Sequence, residues 1–337
     1  MEDIAALLRA TFRTANRTAF PVSATGSGGM QTMVDNLIRP ADRVICGVHG
    51  LFGERMADAL TRRGADVVRV EAEWGRAIPT EQLVAAAEQP FAALFVVHGE
   101  TSTGVAQPLD ALAEACAQHG ALFLIDCVTS LGGHPLELDA AGVDAAFSGA
   151  QKCLNCPPGL APFTANDRAL ERVQGSPSWY FDLRAVLDYW EGDGARTYHH
   201  TAPTNMVVAL REALQIVQEE GLEPRWERHA KAHESLRGAL AQLGFERIAR
   251  DGEQLHPLLA VSLPDGVDAA RLRGGLLQEH GIEVAAGQGP FAGQALRIGV
   301  MGEGARPEPQ ERLVRAIARE LDVDVTVALD ALQDGWA

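Results

Sequence analysis

Short apolar runs alternate with amphipathic segments from residue 42 onwards. The apolar runs have the length of buried strands, and the segments between them repeat with the period of a helix. Such alternation favours a mostly parallel central sheet flanked by helices, which is an α/β fold. The predicted strands are 42–48, 66–71, 91–100, 121–130 and 142–149, and the predicted helices are 52–64, 80–89 and 108–120.

The pattern changes after residue 200. Two long helical segments, 204–221 and 223–244, are separated by Gly221 and Pro224, and the elements that follow are more widely spaced. This change predicts a large domain over residues 1–220 and a small C-terminal α+β domain over residues 221–337. The later predicted elements are strands near 257–263 and 295–300 and helices near 267–279 and 308–320.

Composition narrows the possible partners. The formal net charge of −16 opposes binding to nucleic acid or to an anionic membrane surface. No apolar run reaches the length of a transmembrane helix, and the N-terminus lacks the basic start of a signal peptide.

The odd number of cysteines, five, is typical of reduced thiols in a cytoplasmic protein. The Cys153–Cys156 pair has no second C-x-x-C, so we expect no metal site and interpret both residues as packing groups.

Lysine is rare in this chain, because only two of the 29 basic residues are lysines, Lys152 and Lys231. Lys152 follows a predicted strand and stands among small and apolar residues, where an ammonium ion is costly. Burial there would lower the pKa of its amine and make it a usable nucleophile. The alternative is a surface lysine at a strand end.

Three further features suit one cofactor. Asp126 ends an apolar strand, and pyridoxal phosphate requires a carboxylate together with a lysine. The alternative is that Asp126 only caps the next turn. A Gly/Ser/Thr loop leads into a helix at residues 25–27 and could bind a phosphate, although such turns are common. Arg297, in an apolar strand, could bind a substrate carboxylate or form a structural salt bridge.

Five motifs occur in order along the chain: HGETSTG (98–104), DCVTSLGG (126–133), SGAQKCLNCPPG (148–159), YHHTAP (198–203) and LRIGVMG (296–302). On these motifs the sequence resembles the class V, fold-type I pyridoxal-phosphate aminotransferases from about residue 5 to residue 322. Within that family it is most similar to the alanine–glyoxylate and serine–pyruvate aminotransferases. The resemblance implies a fold-type I transferase whose large domain binds the cofactor.

The resemblance also implies a role for each matching residue. Lys152 would hold the cofactor covalently, Asp126 would keep its pyridine nitrogen protonated, and Arg297 would bind the substrate carboxylate. The residues implied to contact the phosphate are Thr25, Gly26, Ser27 and Gln151; those beside the ring are Phe52, Val128 and, near the phenolic oxygen, Thr101; and Tyr198 and Thr201 would reach the neighbouring site of a homodimer.

The implied reaction transfers the amino group of alanine or serine to glyoxylate or pyruvate. Two alternatives stay open: a ureidoglycine–glyoxylate aminotransferase, which shares much of the pattern, and a catalytically weak homologue that binds the cofactor. The STG ending of the first motif favours the alanine or serine donor. Members of the family usually carry a further N-terminal arm with a Gly-Pro-Gly-Pro turn, so we expect that arm either upstream of Met1 or missing from a shortened variant.

Overall fold

The computed structural model describes residues 1–191 and 197–337 of the chain. The strands are β1 (Thr18–Val22), β2 (Arg43–Val48), β3 (Asp66–Glu71), β4 (Ala93–Val97), β5 (Gly99–Glu100), β6 (Val105–Ala106), β7 (Leu122–Asp126), β8 (Ala145–Phe147), β9 (Ala161–Ala165), β10 (Glu246–Arg247), β11 (Leu258–Ser262), β12 (Ala285–Ala286) and β13 (Ala295–Gly299). The helices are α1 (Glu2–Phe12), α2 (Gly26–Leu37), α3 (Leu51–Arg63), α4 (Thr80–Ala86), α5 (Leu112–Gln118), α6 (Asp167–Leu170), α7 (Leu183–Glu191), α8 (Thr204–Glu220), α9 (Leu222–Gln242), α10 (Ala269–His280), α11 (Pro307–Leu321) and α12 (Thr326–Trp336).

A seven-stranded sheet forms the centre of the molecule, with the strand order β1-β9-β8-β7-β4-β2-β3. Strands β3, β2, β4, β7 and β8 run parallel to one another, whereas β9 is antiparallel to both β8 and β1. The predicted α/β class and the mostly parallel central sheet are therefore confirmed.

Both faces of this sheet are buried, as the continuous apolar strands require. Alternate residues point to opposite faces, so that Leu94 and Phe123 pack in one apolar cluster while Phe95 and Leu124 pack in the other. Helices cover both clusters, which leaves the strand ends as the open part of the sheet.

The predicted strand 91–100 is shorter in the structure and divides into two elements. Strand β4 ends at Val97, and the chain then leaves the sheet to form β5, which pairs with β6. The turn is held by His98, whose backbone N–H donates to Asp126 O at 2.9 Å and whose carbonyl accepts from Gln107 N at 2.9 Å. The division places polar residues at the end of β4, beside Asp126.

The C-terminal third contains a second sheet, ordered β10-β11-β13-β12, and its own apolar cluster. Helices α8 and α9 meet at Gly221, which has a φ of 83°. Pro224 does not separate them, because α9 already begins at Leu222 and a proline in a first turn costs no helical hydrogen bond. The division into domains at residue 221 stays a prediction. No helix of the described residues has the length and apolar character needed to cross a membrane.

Candidate active site

The carboxyl ends of the parallel strands surround a cavity of about 140 Å³. Ligands of open α/β sheets bind at this edge. Nine of the residues predicted from the sequence line the cavity: Thr25, Gly26, Ser27, Phe52, Thr101, Asp126, Val128, Gln151 and Lys152. Segments that are far apart in the chain are thus brought to one place by the sheet.

Asp126 lies at the end of β7 and is 8% exposed. Its Oδ1 accepts a hydrogen bond from the Val128 N–H at 2.8 Å. Burial raises the pKa of Asp126 to about 7, with a further rise from the nearby Glu100, while the Val128 bond and the charges of Arg55 and Lys152 oppose it. A cationic group placed against this carboxyl would favour its ionised form.

Lys152 lies in the turn after β8 and lines the same cavity. Burial lowers the pKa of its amine, and the positive charge of Arg297 lowers it further, while Asp126 opposes the shift. An amine with a lowered pKa is uncharged in a larger fraction of molecules and can attack a carbonyl group. The role of Lys152 as a nucleophile stays a prediction.

The N-terminus of α2 forms one wall of the cavity. The N-cap residue Thr25 makes no side-chain capping bond, and its carbonyl accepts from the N–H groups of Gly28 and Gly29. In the described part of the chain, the N–H groups of Gly26 and Ser27 have no acceptor. Free N–H groups at a helix N-terminus bind anions, and a phosphate would fit this wall. A Cβ at Gly28 would lie 2.2 Å from Ala24 Cβ, so the turn depends on glycine there.

Arg297 lies on the second sheet and is not among the residues that line the cavity, although it contacts one of them, Thr101. Arg297 is part of β13, where its Nε donates to Ala286 O at 2.8 Å and its Nη1 donates to Thr101 O at 3.1 Å. Burial lowers the pKa of its guanidinium, while the charge of Glu100 opposes the shift. Among residues 1–191 and 197–337 no carboxylate forms an ion pair with Arg297, so the alternative of a structural salt bridge finds no support there.

A family model and known proteins match this chain. The model for aminotransferase class V matches residues 1–298. The chain belongs to this family. The (S)-ureidoglycine–glyoxylate transaminase of Bacillus subtilis is 36% identical, over 91% of this chain and 79% of its own length. The alanine–glyoxylate aminotransferase of Callithrix jacchus is 34% identical, over 95% and 79%. The crystal structure of an alanine–glyoxylate aminotransferase from Nostoc sp. is 42% identical and has a TM-score of 0.92 over 95% of this chain and 86% of that one.

Three predicted residues of this class V aminotransferase are not among the residues that line the cavity: Arg297, Tyr198 and Thr201. Tyr198 is 71% exposed, and its hydroxyl lies 2.8 Å from Thr201 Oγ1. The same segment is tied to the loop before Thr25, because His200 Nε2 lies 2.7 Å from Ser23 Oγ. The role predicted for Tyr198 and Thr201 in a neighbouring subunit stays a prediction.

Sequence reasoning missed several residues of the aminotransferase site. Arg55 lines the cavity, and its guanidinium carbon lies 4.8 Å from the centre of the Phe52 ring. The spacing of three residues from Phe52 along a predicted helix could have indicated it. Met30 also lines the cavity, one turn after the residues of α2 that were predicted to bind phosphate. Glu100 is fully buried beneath the site, and the sequence gives no sign of its contacts.

Proposed function

We propose that the protein is a pyridoxal-phosphate aminotransferase that transfers the amino group of a small L-amino acid, alanine or serine, to glyoxylate. One observation carries the proposal. A half-buried amine, Lys152, and a buried carboxyl, Asp126, line one cavity together with a helix N-terminus suited to phosphate. That set meets the requirements of this cofactor, and the chain belongs to a family of aminotransferases.

The residues fit the cofactor in three places. The N–H groups of Gly26 and Ser27 would hold its phosphate, and Asp126 would hold a proton on its ring nitrogen. Phe52 and Val128 would lie against the ring. When bound, pyridoxal phosphate supplies an aldehyde that condenses with amines and a ring that withdraws electrons from Cα of the amino acid.

The chain's own residues would then bind the amino acid and move its proton. Arg297 would bind the carboxylate of the amino acid through guanidinium donors that its two backbone contacts leave free. Lys152 Nζ would hold the aldehyde carbon and, once uncharged and free, accept the proton from Cα and return it. The lowered pKa of Lys152 leaves its amine uncharged in a larger fraction of molecules, which favours both tasks.

A second candidate donor is (S)-ureidoglycine. It is favoured by the Bacillus subtilis relative, which is 36% identical and is named for that donor. Relatives named for alanine match at 34%, and a structure named for alanine matches at 42%. The donor is therefore the part of the proposal that a direct measurement must decide.

We further propose a cytoplasmic homodimer in which Tyr198 and Thr201 reach the partner's phosphate. The exposed side chains of Tyr198 and of Trp179, which stacks on the neighbouring His199, support the dimer, because aromatic residues are enriched at interfaces. The five free cysteines support the cytoplasm.

The test combines a covalent label with a substrate panel. Borohydride reduction of the protein saturated with pyridoxal phosphate should place the pyridoxyl group on Lys152, as mapped by mass spectrometry of peptides. Alanine, serine and ureidoglycine are then added separately, and the loss of the cofactor's visible absorbance is followed, with glyoxylate or pyruvate as acceptor. Lys152→Ala should abolish the response, and Lys231→Arg should retain it.

The outcomes separate the candidates. Conversion with alanine or serine supports the main proposal, and conversion with ureidoglycine alone supports the second donor. A label on Lys152 without conversion by any donor would indicate a catalytically weak homologue. A label on Lys231, or none, would contradict the proposed cofactor site.

A further inference from the structure

The first turn of α3 is held by a distant segment of the chain. Its N-cap, Gly50, has no side chain to offer. Instead, Leu51 N donates to Ser102 Oγ at 2.9 Å, and Phe52 N donates to Glu100 Oε2 at 2.9 Å. Gly53 N donates to the same Oε2 at 3.2 Å. Three N–H groups that a helix leaves without internal partners are thus satisfied from outside.

Glu100 is well placed to hold this turn. Its side chain is fully buried, and its Oε1 accepts from the N–H of Ser102 at 2.9 Å and from Ser102 Oγ at 2.6 Å. Burial raises the pKa of Glu100, while the bonds from Ser102, Gly53 and Phe52 oppose the rise. A carboxylate that accepts from a helix N-terminus is also favoured by the helix dipole.

The contact between Gly50 and the side chains of Glu100 and Ser102 is too close for a side chain at Gly50. A Cβ at Gly50 would lie 2.4 Å from Ser102 Oγ and 2.5 Å from Glu100 Cδ, closer than side chains approach each other. The backbone of α3 therefore rests directly on the Glu100 side chain. A shift of either one would move the other.

The turn carries two residues of the cavity wall. Phe52 and Arg55 both line the cavity and contact each other on one face of α3. Glu100 does not line the cavity. Any influence of Glu100 on the site would therefore pass through the position of α3 and through its charge.

We propose that Glu100, assisted by Ser102, is a positioning residue that fixes the first turn of α3 and so places Phe52 and Arg55 against the bound cofactor. The inference rests on the proposed function, because it takes Phe52 to face the ring of pyridoxal phosphate. It goes beyond that function by assigning a task to a residue that touches neither cofactor nor substrate.

The test compares two carboxylates of the same region. Glu100→Gln keeps the size of the side chain and removes its charge and one acceptor. The control, Glu54→Gln, removes a carboxylate in the first turn of α3 that pairs with Arg69 at the surface at 2.7 Å. The first measurement is amide hydrogen exchange of the peptide covering residues 50–56 in the cofactor-free protein. The second is the dissociation constant of pyridoxal phosphate by equilibrium dialysis.

We expect Glu100→Gln to raise both the exchange rate in residues 50–56 and the dissociation constant by about tenfold or more, since hydrogen bonds to a charged group are lost. Glu54→Gln should stay within about twofold of the parent in both, as surface ion pairs contribute little. In a Phe52→Leu background, Glu100→Gln should raise the dissociation constant by less than about threefold, because residues that act through one another are not additive.

Several outcomes would overturn the proposal. A folded Glu100→Gln variant with parental exchange in residues 50–56 would show that Glu100 does not hold the turn. Faster exchange with a parental dissociation constant would show that the turn does not position the site. If Glu100→Gln does not fold, Ser102→Ala serves instead: it removes the acceptor of Leu51 N–H and the hydroxyl that donates to Glu100 Oε1 but keeps the Glu100 carboxylate, and it must show the same two changes to a smaller extent. A parent that binds no pyridoxal phosphate would reject the proposed function instead, and the exchange measurement would still test the cap.

Discussion

Two helices, α2 and α3, follow strands β1 and β2 and pack against each other, and neither is capped by its own N-cap side chain. At α2, the N–H groups of Gly26 and Ser27 are open to the cavity. At α3, the equivalent groups are filled by Glu100 and Ser102. The same local chemistry thus supports two tasks, because an open helix N-terminus can bind an anionic ligand and a filled one can only be held in place.

The largest expected effect comes from filling the open helix end. Ser27→Asp places a carboxylate at the N-terminus of α2, in imitation of the α3 arrangement. We expect the dissociation constant of pyridoxal phosphate to rise by about 100-fold or more, because the carboxylate occupies the N–H groups and repels the phosphate. Equilibrium dialysis measures the change.

Two controls sharpen this result. Pyridoxal, which lacks the phosphate, should bind Ser27→Asp as it binds the parent. Ser27→Ala removes only the hydroxyl, and its loss of affinity should be about tenfold or less. Unchanged binding of pyridoxal phosphate to Ser27→Asp would show that the phosphate lies elsewhere.

The next effect concerns the filled helix end. Gly50→Ala forces a Cβ against Ser102 Oγ and Glu100 Cδ, both within 2.5 Å of its ideal position. We expect the free energy of unfolding to fall by about 2–3 kcal/mol, since overpacking and strained hydrogen bonds add. Urea denaturation gives the value.

A glycine in open space provides the matched control for Gly50. Gly274 lies within α10, and a Cβ there would meet nothing within 4 Å. Gly274→Ala should raise the free energy of unfolding by about 0.5–1 kcal/mol, because alanine favours a helix. An equal response of the two variants would contradict the tight contact between α3 and Glu100.

The comparison of α2 with α3 also shows which residues of the site could be predicted from the sequence. The open N-terminus of α2 at Thr25 and Ser27 can be predicted from the local sequence, because its glycines, its hydroxyl residues and its helix are consecutive in the chain. Asp126 and Lys152 were found because each follows an apolar strand, and strand ends meet at one edge of a parallel sheet. For these residues, local pattern and topology are sufficient.

The filled helix end could not be found in this way. Glu100 and Phe52 are 48 residues apart, and their contact depends on how β4 leaves the sheet at His98. The strand predicted over 91–100 treated Glu100 as part of a continuous apolar run. Helix α12, which packs on α9, was likewise missed, because its acidic sequence gives a weak local pattern.

The smallest of these effects comes from a histidine just before the start of α3. His49, directly before Gly50, is fully buried, and neither ring nitrogen has a hydrogen-bond partner in the described residues. Burial, with a smaller contribution from the nearby His98, lowers the pKa of His49 to about 4. At the start of α2 the corresponding histidine is His200, which is only half-buried and whose Nε2 lies 2.7 Å from Ser23 Oγ. Because His49 is fully buried without a partner in the described residues, acid should strain the filled helix end more than the open one.

The direction in which stability changes with pH follows from the pKa of His49 in the folded and the unfolded chain. In the unfolded chain a histidine takes up its proton below about pH 6.5, whereas folded His49 remains neutral down to about pH 4. The unfolded state binds more protons between these values, so the free energy of unfolding falls as the pH drops, by about 1.5–2 kcal/mol at pH 5 for this residue. Urea denaturation at pH 7.5 and pH 5 measures the loss. His49→Asn should remove the part of this loss in stability that His49 causes. The part caused by other buried histidines should remain, among them His98 and His233, whose pKa values burial also lowers to about 4. If His49→Asn loses as much stability on acidification as the parent, the start of α3 is not where acid acts, and the two helix ends differ only in anion binding.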